Sequence, residues 1–113
     1  MTEKNAPDNL NAAAPQALKG QPVVYMLRCR DDSLYTGWTN DFPQRLAVHQ
    51  SGKGGKYTRS RLPVVPVYLE VLPDKSSALK REAAIKRLSP EKKRALLTAP
   101  ENALDTLLPL AGK

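Results

Sequence analysis

The chain has 113 residues and a formal net charge of +7, with 18 lysines and arginines against 11 aspartates and glutamates. That length favours one domain, and the longest apolar run, residues 23–27, is too short to cross a membrane. The one cysteine, Cys29, cannot form an internal disulfide, and residues 1–16 lack the basic and apolar blocks of a secretory signal, so we expect a cytoplasmic protein.

The excess positive charge lies in the middle of the chain rather than in a tail. Residues 23–97 carry 15 basic and 7 acidic side chains, whereas residues 1–22 are neutral overall and residues 98–113 carry a net charge of −1. A small basic folded region predicts a polyanionic partner, most often nucleic acid, with a merely soluble basic protein as the alternative.

The amino-terminal part of the chain predicts a tail, a β-hairpin and a helix. Residues 1–22 are rich in Ala, Asn, Pro and Gln without apolar periodicity, which predicts a disordered tail. Two strands, residues 23–29 and 34–39, flank a charged turn and predict a hairpin. Asn40 or Asp41 then caps a helix that extends to about residue 50.

The next part of the chain predicts a basic loop, a third strand and a second helix. Residues 51–63 contain three glycines and predict a loop, and residues 64–72 predict the strand. Ser76 or Ser77 caps a helix over residues 78–88.

The last predicted helix is capped by Ser89. An extension follows, residues 98–113, in which Leu104, Leu107 and Leu108 predict a short docking helix. The element order is then β-β-α-β-α-α. It predicts a small α/β (α+β) fold in which a mostly antiparallel three-stranded sheet packs against helices. One domain spans residues 23–97.

Glu82 lies on the apolar side of the helix predicted over residues 78–88. With 100° per residue, Ala78 lies at about 0°, Ile85 at about 340° and Glu82 at about 40°, so the carboxylate falls within the apolar arc. A carboxylate there costs free energy unless an arginine or a metal ion pairs with it. A salt bridge at the rim of the core is equally compatible with this pattern.

Arg45 and His49 are four residues apart and therefore share one face of the first helix. In isolation this spacing favours a solvated surface pair over a functional one. No cluster of His, Cys or carboxylate residues has the spacing of a zinc site.

The loop SGKGGKYTRSR carries four cations and one aromatic residue without an acidic one: Lys53, Lys56, Tyr57, Arg59 and Arg61. Its glycines let the backbone approach a phosphate closely, and an aromatic ring among cations can stack on a base. The spacing of a Walker-type loop is absent. We expect the loop to contact phosphates, with a flexible basic loop as the alternative.

Taken together, these residues resemble the GIY-YIG nuclease family. The run VVY at 23–25 matches the GIY element, and YTG at 35–37 matches the YIG element. Arg45, His49 and Glu82 stand at the positions of the helical arginine, the following tyrosine or histidine, and the metal-binding glutamate of that family. The resemblance is to the small free-standing bacterial members in particular, and it covers residues 23–97.

The chain departs from the family pattern at four positions. Val23 and Val24 replace the glycine and isoleucine of the first motif, and Thr36 replaces the isoleucine of the second. Trp38 stands where several members carry a lysine. The valines keep a shape that suits a strand, so the strand itself is expected to form.

The resemblance implies a metal-dependent endonuclease that hydrolyses phosphodiester bonds of DNA, with single-stranded or branched DNA as candidate substrates. It implies that Glu82 binds one Mg²⁺ or Mn²⁺ and that Arg45 binds the scissile phosphate. Tyr25 is then the expected general base, and Tyr35 orients the water or assists. His49 either shares the base role or only forms a hydrogen bond. A free tyrosine has a pKa of about 10, and Arg45 and the metal would lower it.

Two other functions fit the same charge pattern. The first is a non-catalytic module that binds DNA or RNA, and the second is a small basic protein that binds structured RNA within an assembly. We expect a monomer with DNA as partner, RNA as a further candidate, and no membrane partner.

The length of the hairpin loop determines whether the two tyrosines lie on the same face of the sheet. An odd-residue loop at residues 31–33, or a β-bulge, places Tyr25 and Tyr35 on the same face, whereas a two-residue loop places them on opposite faces. In the odd register they stand about 13 Å apart along the ladder, with Gly37 leaving the space between them open. We therefore expect both rings to face Arg45 and Glu82 across a groove.

Overall fold

The computed structural model describes residues 18–107, and it confirms the α+β fold with a three-stranded antiparallel sheet. The strands are β1 (Lys19–Arg28), β2 (Leu34–Asp41) and β3 (Val65–Val71). The helices are α1 (Phe42–Gln50), α2 (Lys56–Arg59), α3 (Lys75–Lys86), α4 (Pro90–Ala95) and α5 (Leu104–Leu107). A 3-10 turn (Leu96–Thr98) follows α4.

Strand β1 lies at the centre of the sheet, in the order β2-β1-β3, and both neighbours are antiparallel to it. Residues 23–27 form an uninterrupted apolar run, and all five side chains are buried. Because successive side chains of a strand point to opposite faces, both faces of the sheet must be covered. One face packs against α1 and α5, and the other packs against α3 and the 3-10 turn.

The β1–β2 hairpin closes through a three-residue loop, residues 30–32. The backbone N–H of Cys29 donates to the Ser33 carbonyl at 2.9 Å, and Asp32 adopts a φ of 69°. Three-residue hairpin loops require one left-handed residue, and aspartate tolerates that conformation. The odd-residue loop is therefore confirmed, but it lies one residue earlier than the predicted loop at 31–33.

Side-chain caps set the beginnings of the three main helices. Asp41 caps α1 and Ser89 caps α4, as predicted. Helix α3 begins three residues earlier than predicted, because Asp74 caps it instead of Ser76 or Ser77. The Asp74 carboxylate accepts the Ser77 backbone N–H at 2.8 Å, and a charged acceptor is the stronger cap at this position.

The two ends of the described chain are attached to the sheet. Residues 19–22, predicted to belong to the disordered tail, are part of β1, and the carbonyl of Pro22 accepts the Leu72 backbone N–H at 2.9 Å. At the other end, Leu104 of α5 is buried against the sheet. The rest of the predicted tail, residues 1–17, and Leu108 lie outside the described residues. Within residues 18–107, no helix has the length and apolar character needed to cross a membrane.

Thr36 carries a buried hydroxyl that finds no hydrogen-bond partner among the described residues. It pairs with Met26 on the face covered by α3. A buried unpartnered hydroxyl costs about 1–3 kcal/mol, and valine has nearly the same shape without it. We expect Thr36→Val to raise the free energy of unfolding by about 1 kcal/mol and the Tm by about 4–8 °C in thermal unfolding.

Thr39 supplies the matched control for this prediction. It is also a buried threonine of β2, but its Oγ1 accepts the Asp41 backbone N–H at 3.0 Å. Thr39→Val should therefore lower the Tm, because it removes a hydrogen bond that is made. A lower Tm for Thr36→Val would contradict the assignment of an unpartnered hydroxyl.

Candidate active site

Tyr25 and Gly37 pair across the hairpin, and the tyrosine ring lies directly over the glycine. A Cβ atom at position 37 would stand 2.6 Å from the Tyr25 hydroxyl oxygen and 2.8 Å from its Cζ. The missing side chain of Gly37 therefore determines where the ring can lie. The prediction that Gly37 leaves an open space is wrong, because Tyr25 pairs directly with Gly37 and its ring fills that space.

The Tyr25 hydroxyl meets the imidazole of His49. Tyr25 Oη lies 2.8 Å from His49 Nε2, and His49 Nδ1 lies 3.0 Å from Thr58 Oγ1. With its proton on Nδ1, the imidazole donates to Thr58 and accepts from the Tyr25 hydroxyl. His49 is fully buried whereas Arg45 is exposed, so the two residues do not form the solvated surface pair that their spacing favours in isolation.

Tyr35 completes an aromatic cluster around this hydrogen bond. Its ring centroid lies 6.4 Å from that of Tyr25 and 5.2 Å from that of His49. Tyr25 faces Gly37, and Tyr35 is two residues from Gly37 on β2, so both tyrosines share a face as predicted. The predicted separation of about 13 Å is wrong, because the observed register places the two rings diagonally across the strands.

Burial dominates the titration of Tyr25. It raises the pKa of the phenol above its usual 10.0, the neighbouring Tyr35 raises it further, Arg45 opposes the shift and Glu82 adds to it. Both charges therefore lie close enough to influence this hydroxyl. The expectation that nearby cations lower the pKa of Tyr25 is wrong for the free protein, because the pull of Arg45 is smaller than the effect of burial.

The neutral imidazole of His49 makes the fold sensitive to acid. Burial lowers the pKa of His49 below its usual 6.5, and the charge of Arg45 lowers it further. A histidine of this kind contributes stability above pH 6.5 that is lost as the pH falls towards the folded-state pKa, because the unfolded chain binds the proton more readily.

We expect urea unfolding between about pH 7.5 and pH 5 to show a free energy of unfolding that declines with acid. In His49→Gln that decline should be smaller, although the variant is less stable at every pH. An equal decline in both proteins would show that another group is responsible.

Glu82 occupies the predicted position on the sheet side of α3, between the buried side chains of Ala78 and Ile85. Its own side chain is 18% exposed, and Oε2 lies 3.2 Å from Nζ of Lys86, one turn further along the helix. The pairing cation is thus a lysine instead of the arginine considered from the sequence. Because Lys86 is largely exposed, the pair contributes only about 0.3–0.5 kcal/mol.

The donor set around Glu82 suits one kind of cation. Among residues 18–107, no group of three or more His, Cys, Asp or Glu side chains lies together, as a zinc cage requires. Mg²⁺ instead takes one or two carboxylates, keeps several waters and adds oxygens from a phosphate substrate. A single partly buried glutamate fits that mode of binding, provided that the cation displaces the largely exposed Lys86 from Oε2.

The basic loop contains the short helix α2, and its residues divide into two groups. Three of the cations are exposed: Lys53, Lys56 and Arg59. The guanidinium carbon of Arg61 instead lies 3.8 Å from the ring centroid of Tyr57, and its Nε lies 3.0 Å from Asp31 Oδ2. Arg61 therefore covers one face of the Tyr57 ring, which leaves less of that ring for a base than the sequence suggested.

Comparison with known proteins identifies the family. The family model of the GIY-YIG catalytic domain matches residues 21–95. The chain belongs to the GIY-YIG family. The match includes β1 from residue 21 onwards, β2, α1, the basic loop and α3, so the Tyr25–His49 pair, Arg45 and Glu82 all lie within it.

Bacterial relatives extend the match across most of the described residues. The UPF0213 protein DP2720 of Desulfotalea psychrophila is 48% identical over 85 residues, which span 74% of this chain and 77% of that protein. A UPF0213 protein of Syntrophus aciditrophicus is 52% identical over 75 residues, 66% of this chain and 86% of that protein. These matches confirm the resemblance to small bacterial GIY-YIG proteins.

A solved structure has the same fold. The solution NMR structure of the protein EF2693 from E. faecalis is 40% identical and gives a TM-score of 0.51. The similarity spans 70% of this chain and 84% of that one.

Three residues of the site were not predicted from the sequence. Thr58 holds Nδ1 of His49, Phe42 packs on Tyr25 with ring centroids 5.5 Å apart, and a Cβ at Gly54 would overlap the His49 ring. Thr58 stands nine residues after His49, and no periodic spacing links the two. The glycine could have been suspected, because a loop with three glycines indicates close backbone approach.

Proposed function

We propose that this chain is a metal-dependent endonuclease that hydrolyses phosphodiester bonds of DNA. Its proposed catalytic residues are Tyr25, Tyr35, Arg45, His49 and Glu82. The observation that carries this proposal is the buried 2.8 Å hydrogen bond between Tyr25 Oη and His49 Nε2, under the influence of the charges of Arg45 and Glu82. A hydroxyl aimed at a neutral imidazole is the arrangement of an activated general base.

The proposed proton path resolves the difficulty that burial creates for Tyr25. A phenol with a raised pKa does not ionise at neutral pH, so it needs a group that takes its proton. As Tyr25 Oη removes a proton from the attacking water, its own proton passes to Nε2 of His49. The imidazolium that results keeps its Nδ1 proton on the hydrogen bond to Thr58. The lowered pKa of His49 keeps the ring neutral beforehand, and the tautomer with its proton on Nδ1 leaves Nε2 free to accept.

The remaining residues supply charge and orientation. Arg45 is exposed on α1 beside this pair, where a guanidinium can hold the scissile phosphate as charge grows on it. Tyr35 borders the same space and positions the attacking water. Glu82 would hold the Mg²⁺ or Mn²⁺, which when bound stabilises charge on the phosphate and the leaving oxygen.

The exposed cations next to the site would hold the substrate strand. Lys53, Lys56 and Arg59 face solvent on the loop that carries Thr58, and they are proposed to bind phosphates together with Tyr57 and Arg61. DNA is the proposed partner, with RNA as a second candidate. A cytoplasmic monomer is the proposed state, and the free buried thiol of Cys29 suits a reducing compartment.

We expect the wild-type protein to cut DNA with Mg²⁺ or Mn²⁺ and to stop when a chelator is added. Tyr25→Phe should lower the rate about a hundredfold, because it removes the hydroxyl that transfers the proton. Cleavage of single-stranded, duplex and branched oligonucleotides is the measurement.

Tyr68→Phe is the matched control for Tyr25→Phe. Tyr68 is an equally buried tyrosine whose hydroxyl donates to Glu70, and it belongs to the cluster on the opposite face of the sheet. It should therefore lose stability without a comparable loss of rate. Equal losses of rate in the two variants would falsify the role assigned to Tyr25.

A non-catalytic nucleic-acid-binding module is the second candidate, and the basic loop favours it. Such a module would bind DNA or RNA with an affinity that falls steeply with salt, and it would show no chelator-sensitive cleavage. The same cleavage assay therefore separates the two functions.

A further inference from the structure

We propose that a cavity between the hairpin tip, α2 and α4 is a pocket for one unpaired nucleotide of the substrate strand. The cavity has a volume of about 410 Å³, and its lining comes from three segments that only the fold brings together. That volume lies in the range of small-ligand sites. The proposal rests on the proposed function for its substrate, and it adds a site outside the catalytic residues.

One part of the lining suits the flat apolar surface of a base. Tyr57, Leu34 and Pro90 contribute an aromatic ring, a branched aliphatic side chain and a pyrrolidine ring. Tyr57 is 37% exposed even though Arg61 stacks on it, so an edge and part of its ring remain available to the cavity. Bases bind such surfaces irrespective of sequence, because every base has a π-face.

The α4 side of the cavity supplies the cations that a nucleotide phosphate needs. Lys93 is half-buried, and the ion pairs formed within residues 18–107 do not include it. Arg94 donates from Nη2 to the Asp32 carbonyl at 2.7 Å, which holds its guanidinium at the mouth of the cavity. The two adjacent cations belong to a six-residue helix with no assigned role in the catalytic site.

The hairpin side of the cavity determines the orientation of the base and the phosphate of a bound nucleotide. Asp31, Asp32 and Ser33 line it, and carboxylate and hydroxyl oxygens accept hydrogen bonds from amino groups on the edge of a base. The same carboxylates repel a phosphate. The phosphate therefore lies towards Lys93, with a smaller contribution from Arg94, because the Arg94 guanidinium is 3.6 Å from the Asp32 carboxylate. The base edge lies towards Asp31 and Ser33.

The cavity is close enough to the catalytic residues for one strand to occupy both. The Tyr57 ring lies 6.0 Å from that of Tyr35, which lies 6.4 Å from that of Tyr25. At about 3.4 Å per nucleotide along a strand, these two steps correspond to a few nucleotides. A base paired within a duplex cannot enter such a cavity, so the pocket selects single-stranded DNA or an unpaired nucleotide at a branch.

The test compares two oligonucleotides of equal length and charge in the presence of a chelator, so that neither is cut. One is a fully paired duplex, and the other carries a single unpaired 2-aminopurine nucleotide. We expect wild-type protein to bind the second about tenfold more tightly in fluorescence anisotropy, with a change in 2-aminopurine emission on binding. Equal affinity of the wild-type protein for both oligonucleotides would overturn the proposal.

The variant Lys93→Gln/Arg94→Gln should lose this preference, and the control Lys80→Gln/Arg87→Gln should keep it. Both remove one lysine and one arginine. The control residues are exposed, Lys80 on α3 and Arg87 directly after it, and both lie outside the cavity lining. Arg94→Gln can also loosen the hairpin tip, so Lys93→Gln alone is measured as well. This single variant should lose part of the preference for the oligonucleotide with the unpaired nucleotide. A preference equally large in all variants would also overturn the pocket.

The outcome is separable from that of the proposed function. Wild-type protein that prefers the unpaired nucleotide but never cuts would retain the pocket and contradict the endonuclease. Protein that cuts with metal but binds both oligonucleotides equally would support the endonuclease and contradict the pocket.

Discussion

Replacing Glu82 by glutamine should lower the rate of metal-dependent DNA cleavage by about a thousandfold or more. Glutamine keeps the size of the side chain but removes the charge that a hard divalent cation needs. A metal held by Glu82 would stabilise charge in the transition state by several kcal/mol, and each 1.36 kcal/mol corresponds to about a tenfold change in rate. Cleavage kinetics over a range of Mg²⁺ and Mn²⁺ concentrations measure the effect.

The loss should not come from unfolding. Within residues 18–107, Glu82 forms an ion pair only with a largely exposed lysine one turn along its helix, so Glu82→Gln should change the free energy of unfolding by less than about 1 kcal/mol. The charge-matched control is Glu101→Gln, which changes an exposed carboxylate near the carboxyl-terminal end of the described residues. This variant should cut like wild type. Retention of more than a tenth of the rate by Glu82→Gln would remove the metal role from this residue.

Gly37→Ala should affect both stability and activity. The added Cβ would stand 2.6 Å from the Tyr25 hydroxyl oxygen, so the ring must move and its hydrogen bond to His49 must break or lengthen. Overpacking of this kind costs about 1–3 kcal/mol of unfolding free energy. A displacement of about 1 Å at a catalytic group can cost about a hundredfold in rate. Thermal unfolding and cleavage kinetics on the same preparation measure the two effects.

A double-mutant cycle isolates the contact between the two residues. In the Tyr25→Ala background the ring is gone, so Gly37→Ala no longer meets it and should leave the stability unchanged or slightly raised. The coupling free energy of the cycle should therefore be about as large as the cost of Gly37→Ala alone. Additive costs would mean that the glycine is required for its backbone conformation instead of its contact with Tyr25.

The parts of the fold that the sequence predicted well depend on local or periodic signals. The apolar run at residues 23–27 predicted a buried strand, and Asp41 and Ser89 predicted two helix beginnings, because caps act within one turn. Glu82 was identifiable as unusual because helical periodicity alone places it between buried residues.

The parts that were missed depend on contacts between distant segments. The hairpin loop lies one residue earlier than predicted, which changes each cross-strand partner by two residues. The left-handed conformation of Asp32 sets that position, and several turn residues could have adopted it. Thr58 reaches His49 only because α2 folds back over α1, and Arg61 stacks on Tyr57 instead of extending into solvent. The raised pKa of Tyr25 follows from burial, which a sequence pattern does not measure.

The acidic turn at the hairpin tip reduces the free energy that two arginines, Arg61 and Arg94, can gain by binding a phosphate. Arg61 contacts Asp31 at 3.0 Å and Arg94 lies 3.6 Å from the Asp32 carboxylate. A phosphate that binds either guanidinium must exchange with a carboxylate that stays nearby, so its net gain is the difference between two ion pairs. Binding should then weaken less steeply with salt than the number of cations implies. The carboxylates of the turn compete with phosphates for these two arginines, and the turn therefore disfavours indiscriminate binding to any polyanion.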